Sequence, residues 1–391
     1  MDAKKKFLCG LFIVGLLGLS SCGGPSSDSE GEIRETQETQ QTVQEENGLV
    51  YEGSMELQYA ENFSVDYYEG GYEMLGTMDG TQILLVPEGK EVPEGLGKDV
   101  IVLYRPVSDL YLVSSSVMDM FRELDALSAI RFSAQKQENW YIEEAREAMQ
   151  EGRIQYAGKY NRPDYEKIVA ENCTLAIENR MILHAPEVME KLEEFGIPVM
   201  IEYSSLEKHP LGRVEWVRFF GALTGKEEEA EQAFARQVQL LDKVVDGEKT
   251  GNSVAFFYIT SNGMVQVRRS TDYIPKMIEL AGGSYLPQDA EESESGRSTF
   301  NMQMEDFYQQ VKDADFIIYN SSIDGGVDSV EELLDKCNVL KDFKAVQSGN
   351  VFCTTNDMYQ QSMAVGDMLE DIHRMLEGGQ DEEMKYLFRL Q

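Results

Sequence analysis

The feature that most restricts this chain is a long helical pattern set between two series of alternating strand and helix patterns. Ala230, Phe234, Val238, Leu241 and Val245 form an i, i+4, i+8, i+11, i+15 stripe, the spacing of one buried face of an α-helix. Thr224-Gly225-Lys226-Glu227 fits the S/T-x-x-E capping box, with Thr224 accepting from the Glu227 amide and Glu227 reaching back. Glu227, Glu228 and Glu229 fall in the first turn, where the helix dipole favours anions. A helix over 226–245 is about 30 Å long. Val214–Leu223 reads as a separate helix just before it. A connector of this kind is stiff and permits only small relative motion of what it joins.

On the N-terminal side, strand patterns occur at Ile83–Val86, Val100–Tyr104, Leu110–Val113, Leu175–Ile177 and Val199–Ile201, with helix patterns over 117–126, 139–150, 164–171 and 186–195. Residues 50–82 are less regular and read as an antiparallel ribbon or an extended arm. On the C-terminal side, strands are expected at Val254–Ile259, Val265–Arg268, Phe316–Tyr319 and Val351–Cys353, with helices near 273–281, 302–312, 329–336 and 361–377. Strands alternating with helices predict an α/β fold with mostly parallel sheets and helices on both faces. The chain divides into an N-terminal α/β lobe over 50–213, connecting helices over 214–246 and a C-terminal α/β lobe over 247–391. A length of 391 residues suits two domains.

Residues 1–21 obey a different rule. Lys4, Lys5 and Lys6 precede the apolar run Phe7–Gly18, which is the length of a signal-peptide core and too short for a membrane-spanning helix. Leu19-Ser20-Ser21-Cys22 is similar to a bacterial lipobox, with Cys22 as the lipidated residue. Residues 22–49 hold seven acids, one Arg and no aromatics, so they are expected to form a disordered acidic tether. The expected location is the bacterial cell surface, lipid-anchored on the outer face of the cytoplasmic membrane and facing the periplasm where an outer membrane exists.

Charge and motifs narrow the function. Seventy Asp and Glu against 35 Lys and Arg give a net charge of −35, which argues against a nucleic-acid partner. Removal of a leader holding three Lys and one Asp takes this to −37. Cys173, Cys337 and Cys353 show no paired spacing and read as small buried hydrophobes. There is no GxSxG, HExxH or His-x-His sequence, and Gly221–Lys226 is one residue short of a phosphate loop and lies within a helical pattern. His184, His209 and His373 are widely separated and give no metal-ligand grammar. No enzymatic activity, cofactor or resident metal is implied.

Four stretches carry a family resemblance. They are Asn161–Ile177; Phe300–Tyr308 with Asp315–Tyr319; Lys208–Trp216 running into Leu223–Glu231; and Phe343–Phe352, with its Ala-Val-x-x-Gly-x-Val. In order and spacing, and with the lipoprotein start, they resemble the substrate-binding lipoproteins of ABC importers for iron–siderophores, haem and cobalamin, over roughly residues 100–377. Cys173-Thr174 stands where that family carries Pro-Asp, and the Phe300–Tyr319 stretch runs two residues longer than usual.

The resemblance implies two Rossmann-like lobes joined by a single long connecting helix, with the ligand in the cleft between them. It implies a monomer that delivers a metal chelate, most often a ferric siderophore, to a permease driven by a separate ATPase. It also implies that one exposed Glu per lobe docks on the permease, and the matching positions are Glu166 and Glu305. Ligands of open α/β sheets lie beyond the carboxyl ends of the strands. Those ends lead to Ser114–Ser116, Glu178–Arg180, Thr260–Gly263 and Asn320–Ser322, which makes Ser115, Arg180 and Asn320 candidates, and Tyr258 is a separate aromatic candidate for the cleft or a half-buried tyrosine. Trp140, Tyr156, Lys159 and Tyr160 form an aromatic, partly basic cluster suited to a macrocycle or an anionic chelate, and read equally well as a core set. Arg213 and Arg268 are candidate anion partners, and Arg213 can instead brace the hinge. His209 is a candidate ligand to iron or cobalt, or a turn residue before Pro210. The alternative reading is a surface enzyme acting on a metal chelate or on cell-wall material, with His209 or Glu178 in the cleft.

Overall fold

The computed structural model describes residues 45–46, 48–245, 247, 249–288, 298–323, 325–379 and 383–391. Cys22, the leader expected over 1–21 and most of the tether expected over 22–49 lie outside the described residues. Everything below belongs to the unit Val43–Gln391.

The N-terminal residues build a sheet of their own. Strands β1 (Glu45–Glu46), β2 (Leu49–Ser54), β3 (Phe63–Tyr68), β4 (Tyr72–Thr77) and β5 (Gln82–Val86) form an antiparallel meander, and β6 (Ile101–Tyr104) adds parallel to β5. Alternation along the strands sends Phe63, Val65, Leu75, Ile83 and Leu85 into the main core. Tyr68, Met74, Leu84 and Val86 go to a smaller core, where Leu96 and Val100 of the loop before β6 pack on them. The ribbon expected over 50–82 is therefore real. The strands expected at 83–86 and 100–104 complete that ribbon's sheet and do not join the parallel sheet of the N-terminal lobe. A short connection favours antiparallel neighbours, and the tight β3–β4 and β4–β5 turns impose this.

The N-terminal lobe proper comprises β7 (Leu110–Leu112), α1 (Ser115–Glu123), β8 (Ile130–Ser133), α2 (Glu143–Gln150), β9 (Gln155–Tyr156), the hairpin β10 (Gly158–Lys159) and β11 (Arg162–Pro163), α3 (Tyr165–Ala170), β12 (Ala176–Glu178), α4 (Pro186–Glu194) and β13 (Val199–Ile201). Its parallel sheet runs β13-β12-β7-β8-β9. The chain winds outward from β7 through β8 and β9, then restarts at β12 and leaves through β13. The crevice between β7 and β12 is a topological switch point.

Two helices follow, α5 (Pro210–Thr224) and α6 (Glu227–Val245). Helix α6 buries Ala230, Ala233, Phe234, Gln237, Leu241 and Val244, close to the expected stripe, while Val245 is exposed. The expected capping box does not form. Gly225 adopts a left-handed conformation (φ 71°) and ends α5, with the Lys226 N–H donating to the Gly221 carbonyl at 2.7 Å. Thr224 stays in α5, where its hydroxyl donates to the Phe220 carbonyl at 2.7 Å. The glycine signal overrides the box because only glycine takes this backbone shape without penalty.

The C-terminal lobe comprises β14 (Ser253–Ile259), β15 (Val265–Arg268), α7 (Tyr273–Leu280), β16 (Ser284–Leu286), β17 (Thr299–Met302), α8 (Met304–Val311), β18 (Phe316–Tyr319), α9 (Val330–Lys336), α10 (Lys344–Gln347), β19 (Val351–Thr354), α11 (Val365–Glu377) and β20 (Leu387–Arg389). Its parallel centre is β16-β14-β18-β19, with β15, β17 and β20 antiparallel. The chain leaves β14 toward β16 and returns on the other side as β18, so a second switch point lies between β14 and β18. Val254 and Phe256 face one core while Ala255 and Phe257 face another, which explains the unbroken apolar run of this doubly covered strand. The first of these cores continues through α5, α6, α7 and α11 into the N-terminal lobe. The lobes are fused through helices and are not strung on a linker.

Helix α5 also anchors the segment before β3. Glu215, fully buried, accepts from the N–H groups of Gln58, Tyr59 and Ala60, each at 2.8 Å. Glu207, just before α5, accepts from Glu61 and Asn62 N–H at 3.0 and 3.1 Å and from the Trp216 indole at 3.0 Å. The close approach needs Gly212, since a Cβ there would stand 2.9 Å from the Tyr59 carbonyl oxygen. Arg218 bridges Glu215 and the exposed Glu231 of α6, each at 3.0 Å. Replacing Glu215 by Ala leaves the N–H groups of Gln58, Tyr59 and buried Ala60 without their acceptor and costs Arg218 its buried partner, while Glu231 and the Glu56 carbonyl still hold the guanidinium. Urea unfolding is expected to show a loss of roughly 3–5 kcal/mol, against about 0.5 kcal/mol or less for Glu231→Ala.

Candidate ligand-binding site

Each lobe carries a cavity at the carboxyl ends of its strands, and Gln360 of the C-terminal lobe bonds across the seam between the lobes to the main chain of Asn139 and Tyr141 in the N-terminal lobe. In the N-terminal lobe, a cavity of about 590 Å³ lies over the β7–β12 crevice and is lined by Val113, Lys136, Asn139, Tyr156, Lys159, Tyr160 and Asn179, among others. Its size suits a small molecule. Strand β9 delivers Tyr156, and the β10–β11 hairpin delivers Lys159 and Tyr160. The hairpin is held from below, where the Tyr111 hydroxyl donates to the Gly158 carbonyl at 3.0 Å and Lys167 Nζ donates to the Tyr156 carbonyl at 3.1 Å. Lys136 stands 3.6 Å from Glu138, while Lys159 is exposed and makes no ion pair among the described residues. The wall is therefore aromatic with an excess of cation over anion, in a chain where acids outnumber bases two to one.

The C-terminal lobe answers with a polar wall at the ends of β14 and β18. Tyr258, Thr260 and Ser261 line a second cavity of about 540 Å³. Asn320, buried at the end of β18, donates from Nδ2 to the Tyr359 hydroxyl at 2.8 Å, and its Oδ1 is buried without a partner among the described residues. Arg268 also donates to the Tyr359 hydroxyl and lies 3.6 Å from Asp272. Arg213 of α5 donates to the Ser205 carbonyl at 3.1 Å and stacks 4.1 Å above the Tyr273 ring of α7. It braces one lobe against the other, and among the described residues it has no carboxylate partner.

Several expected positions take other roles. Trp140 is 3 % exposed, within the core, with its indole N–H directed at Ser133 Oγ, so it has no face to offer a ligand. His209 caps α5: its Nδ1 accepts from the Leu211 N–H at 3.2 Å, and its ring stacks on Tyr59 at 4.5 Å. Burial, then Lys276, holds its pKa below the ordinary imidazole value, which favours the neutral ring that caps the helix, and His209 lines neither the N-lobe nor the C-lobe cavity. Ser115 opens α1 and is half-buried, and Arg180 opens the turn Arg180–His184 beside Asn179. Glu166 and Glu305 are both exposed, and each is the second residue of its helix, α3 and α8. Among the described residues no three His, Cys, Asp or Glu side chains group to hold a metal ion. The residues that sequence reasoning missed are Lys136 and Asn139 of the cavity wall and Gln360 of the facing lobe, while Asn179, at a strand end the sequence singled out, does line the cavity. They are ordinary loop polars whose role comes from chain segments more than 200 residues apart in the case of Gln360.

A larger cavity, about 870 Å³, lies at the opposite end of the N-terminal sheet, between Ile101–Tyr104, Pro106, Thr174 and Pro198. It sits at the amino ends of the strands, away from both switch points, and does not compete as the ligand site.

Comparison with known proteins agrees with this architecture. No family model matches the sequence. The uncharacterized lipoprotein MJ0878 of Methanocaldococcus jannaschii is 26 % identical over 343 residues, covering 80 % of this chain and 79 % of that protein. A second uncharacterized lipoprotein of that organism, MJ0872, is 25 % identical over 406 residues, covering 99 % of this chain and all of its own length. Among solved structures, the petrobactin-binding protein YclQ of Bacillus subtilis superposes with a TM-score of 0.57 at 13 % identity, covering 78 % of this chain and 99 % of its own. A periplasmic haem-binding protein of Pseudomonas aeruginosa gives 0.56 at 14 % identity, covering 73 % and 98 %. The fold is that of the two-lobed class III periplasmic binding proteins.

Glu178 ends β12 beneath the cavity. It is fully buried, neither carboxyl oxygen has a partner among the described residues, and burial pushes its pKa up to about 8 from the ordinary 4.5. The unfolded chain ionises this group above about pH 4.5 while the folded protein keeps the proton until about pH 8. Its contribution to stability is thus complete below pH 4.5 and is lost as pH rises through 8. Glu178→Gln removes that titration. Urea unfolding at pH 5 and pH 8 is expected to shift in the variant's favour by roughly 2–4 kcal/mol across the interval.

Proposed function

We propose that this chain is the lipid-anchored substrate-binding component of an ABC importer, which captures a metal chelate and hands it to a permease. The observation that carries the reading is the aromatic and cationic cavity of Tyr156, Lys159 and Tyr160 over the β7–β12 switch point, in a fold shared with siderophore- and haem-binding proteins. Aromatic faces pack against a catecholate or a macrocycle, and Lys159 and Lys136 compensate an anionic chelate. Tyr258, Arg268 and Asn320 form the facing wall, with Ser115, Arg180 and Arg213 at the seam. A ferric siderophore is the favoured cargo, ahead of haem and cobalamin, because the wall offers cations and aromatic rings and no histidine lines either cavity.

Cys22 supplies the anchor, in keeping with the lipoprotein names of the sequence relatives, and the segment 22–49 supplies reach from the outer face of the cytoplasmic membrane. Nothing in the cycle requires bond chemistry in this chain. Energy comes from the transporter's ATPase.

A thermal-shift screen over ferric siderophores, haemin and cobalamin tests the reading. One chelate is expected to raise the unfolding midpoint by several degrees at saturation, with the shift lost in Lys159→Glu combined with Tyr160→Ala. No shift with any of them would remove the chelate reading. Docking is tested separately. Glu166→Ala with Glu305→Ala is expected to abolish cellular uptake and leave binding by the purified protein unchanged, whereas normal uptake would show that the permease does not read these two anions.

A further inference from the structure

One C-lobe side chain closes the rim of the seam. Gln360 Oε1 accepts from the Tyr141 N–H at 2.8 Å, and Gln360 Nε2 donates to the Asn139 carbonyl at 2.8 Å. The partners fix the amide's orientation, because a main-chain N–H only donates and a carbonyl only accepts. Turning the amide over would set donor against donor and acceptor against acceptor.

Two further contacts lie deeper in the same seam. Ser362 Oγ donates to the Ser116 carbonyl at 2.6 Å, and the Met363 N–H donates to Asp119 Oδ2 at 2.7 Å. Burial increases inward. Asn139 and Tyr141 are exposed, Ser116 and Ser362 are half-buried, and Asp119 and Met363 are buried. Water readily replaces the rim bonds, whereas parting Met363 from Asp119 strips a buried carboxylate of one of its few donors. The seam can therefore part at the rim while the Asp119–Met363 contact stays made.

Asn139 is also a wall residue of the N-lobe cavity, next to Lys136 and Glu138. We propose that Gln360 is a positioning residue of the ligand site: from the C-terminal lobe it holds the 136–141 wall of the N-lobe cavity in place with or without cargo, and its two hydrogen bonds open transiently as cargo passes. The assignment of a cargo rests on the reading above, but the first test needs no cargo.

Native-state amide exchange of the ligand-free protein is compared with that of Gln360→Ala. Exchange at Tyr141 is expected to quicken about tenfold on loss of the rim bonds, while exchange at Met363 is unchanged. Gln360→Glu keeps an acceptor for Tyr141 and sets an anion against the Asn139 carbonyl, so its effect at Tyr141 should fall between. Unchanged exchange at Tyr141 in Gln360→Ala would overturn the proposal, as would an equal rise at Met363, which would mean that the seam opens as a whole. With ferric tris-catecholate as probe, Gln360→Ala is expected to raise the dissociation rate about tenfold and leave the association rate within about twofold. Equal dissociation rates would overturn the positioning role. Failure of the probe to bind the unsubstituted protein would count against a catecholate cargo and leave the exchange result to decide the role of Gln360.

Discussion

The structure depends on two buried carboxylates at α5. Glu207 and Glu215 together take five main-chain N–H groups of the segment 58–62 and the indole of Trp216. A buried carboxylate is costly unless its oxygens are filled, and a chain segment with free N–H groups is costly on the same terms. Each resolves the other's cost. The result is that a loop with no secondary structure is fixed against a helix, and the meander sheet it leads into is held where Phe63 can pack at 5.0 Å on Trp216 and 5.6 Å on Phe219. Arg105, at the far end of that sheet, closes the arrangement by donating to the Ala222 carbonyl and pairing with Glu73, both at 2.7 Å. Helix α5 is the place where the meander, the N-terminal lobe, α6 and, through Arg213 on Tyr273, the C-terminal lobe all meet.

Much of this was legible. Every strand expected from an apolar run is present, and Val199–Ile201, Val265–Arg268 and Phe316–Tyr319 match to the residue. Those strands are short, apolar and bounded by turn residues, so local sequence decides them. What local sequence did not decide was partnership. Strands β5 and β6 read as parts of a parallel sheet because their composition is that of doubly buried strands. Their second cover is the loop 87–100, which has no periodicity to announce it. Strand β8 went unread because Arg131 and Ser133 dilute its pattern. Arg131 pairs with Glu171 on α3's exit, a contact 40 residues away. The missed start of α5 has a local cause, since Pro210 at the first turn and His209 as cap are both start signals.

The candidate site divides along the same line. Tyr156, Lys159 and Tyr160 were visible because β9 and the hairpin that directly follows it carry them all within five residues, so closeness in sequence became closeness in space. Trp140 belongs to the same stretch by sequence but faces inward, where Ser133 receives its N–H. Composition cannot tell an aromatic ring that lines a cavity from one that fills a core, since both want apolar neighbours. His209 shows the same limit for a polar group. A nitrogen that could bind a metal instead accepts from a helix N–H two residues on, and only the backbone geometry reveals it.

The distribution of charge separates recruitment from recognition. A net charge of −35 repels an anionic chelate at long range, but at physiological ionic strength that field decays over about 8 Å. Under the proposed function, capture would be governed by groups within contact distance, and there the sign reverses: Lys136 and Lys159 share the N-lobe cavity wall with one acid, Glu138. Arg213 and Arg268 lie at the seam, with Asp272 as the acid beside Arg268. Buried acids do not compete for the cavity's cations: Asp119 holds Arg122 and Met363, Glu215 holds the 58–60 amides, Asp371 accepts from the N–H groups of Lys385, Tyr386 and Leu387, and Glu178, beneath the cavity and without a partner among the described residues, is kept protonated by burial. An acidic protein can thus present a locally cationic pocket, provided its interior acids are either tied to donors of their own or held neutral by burial.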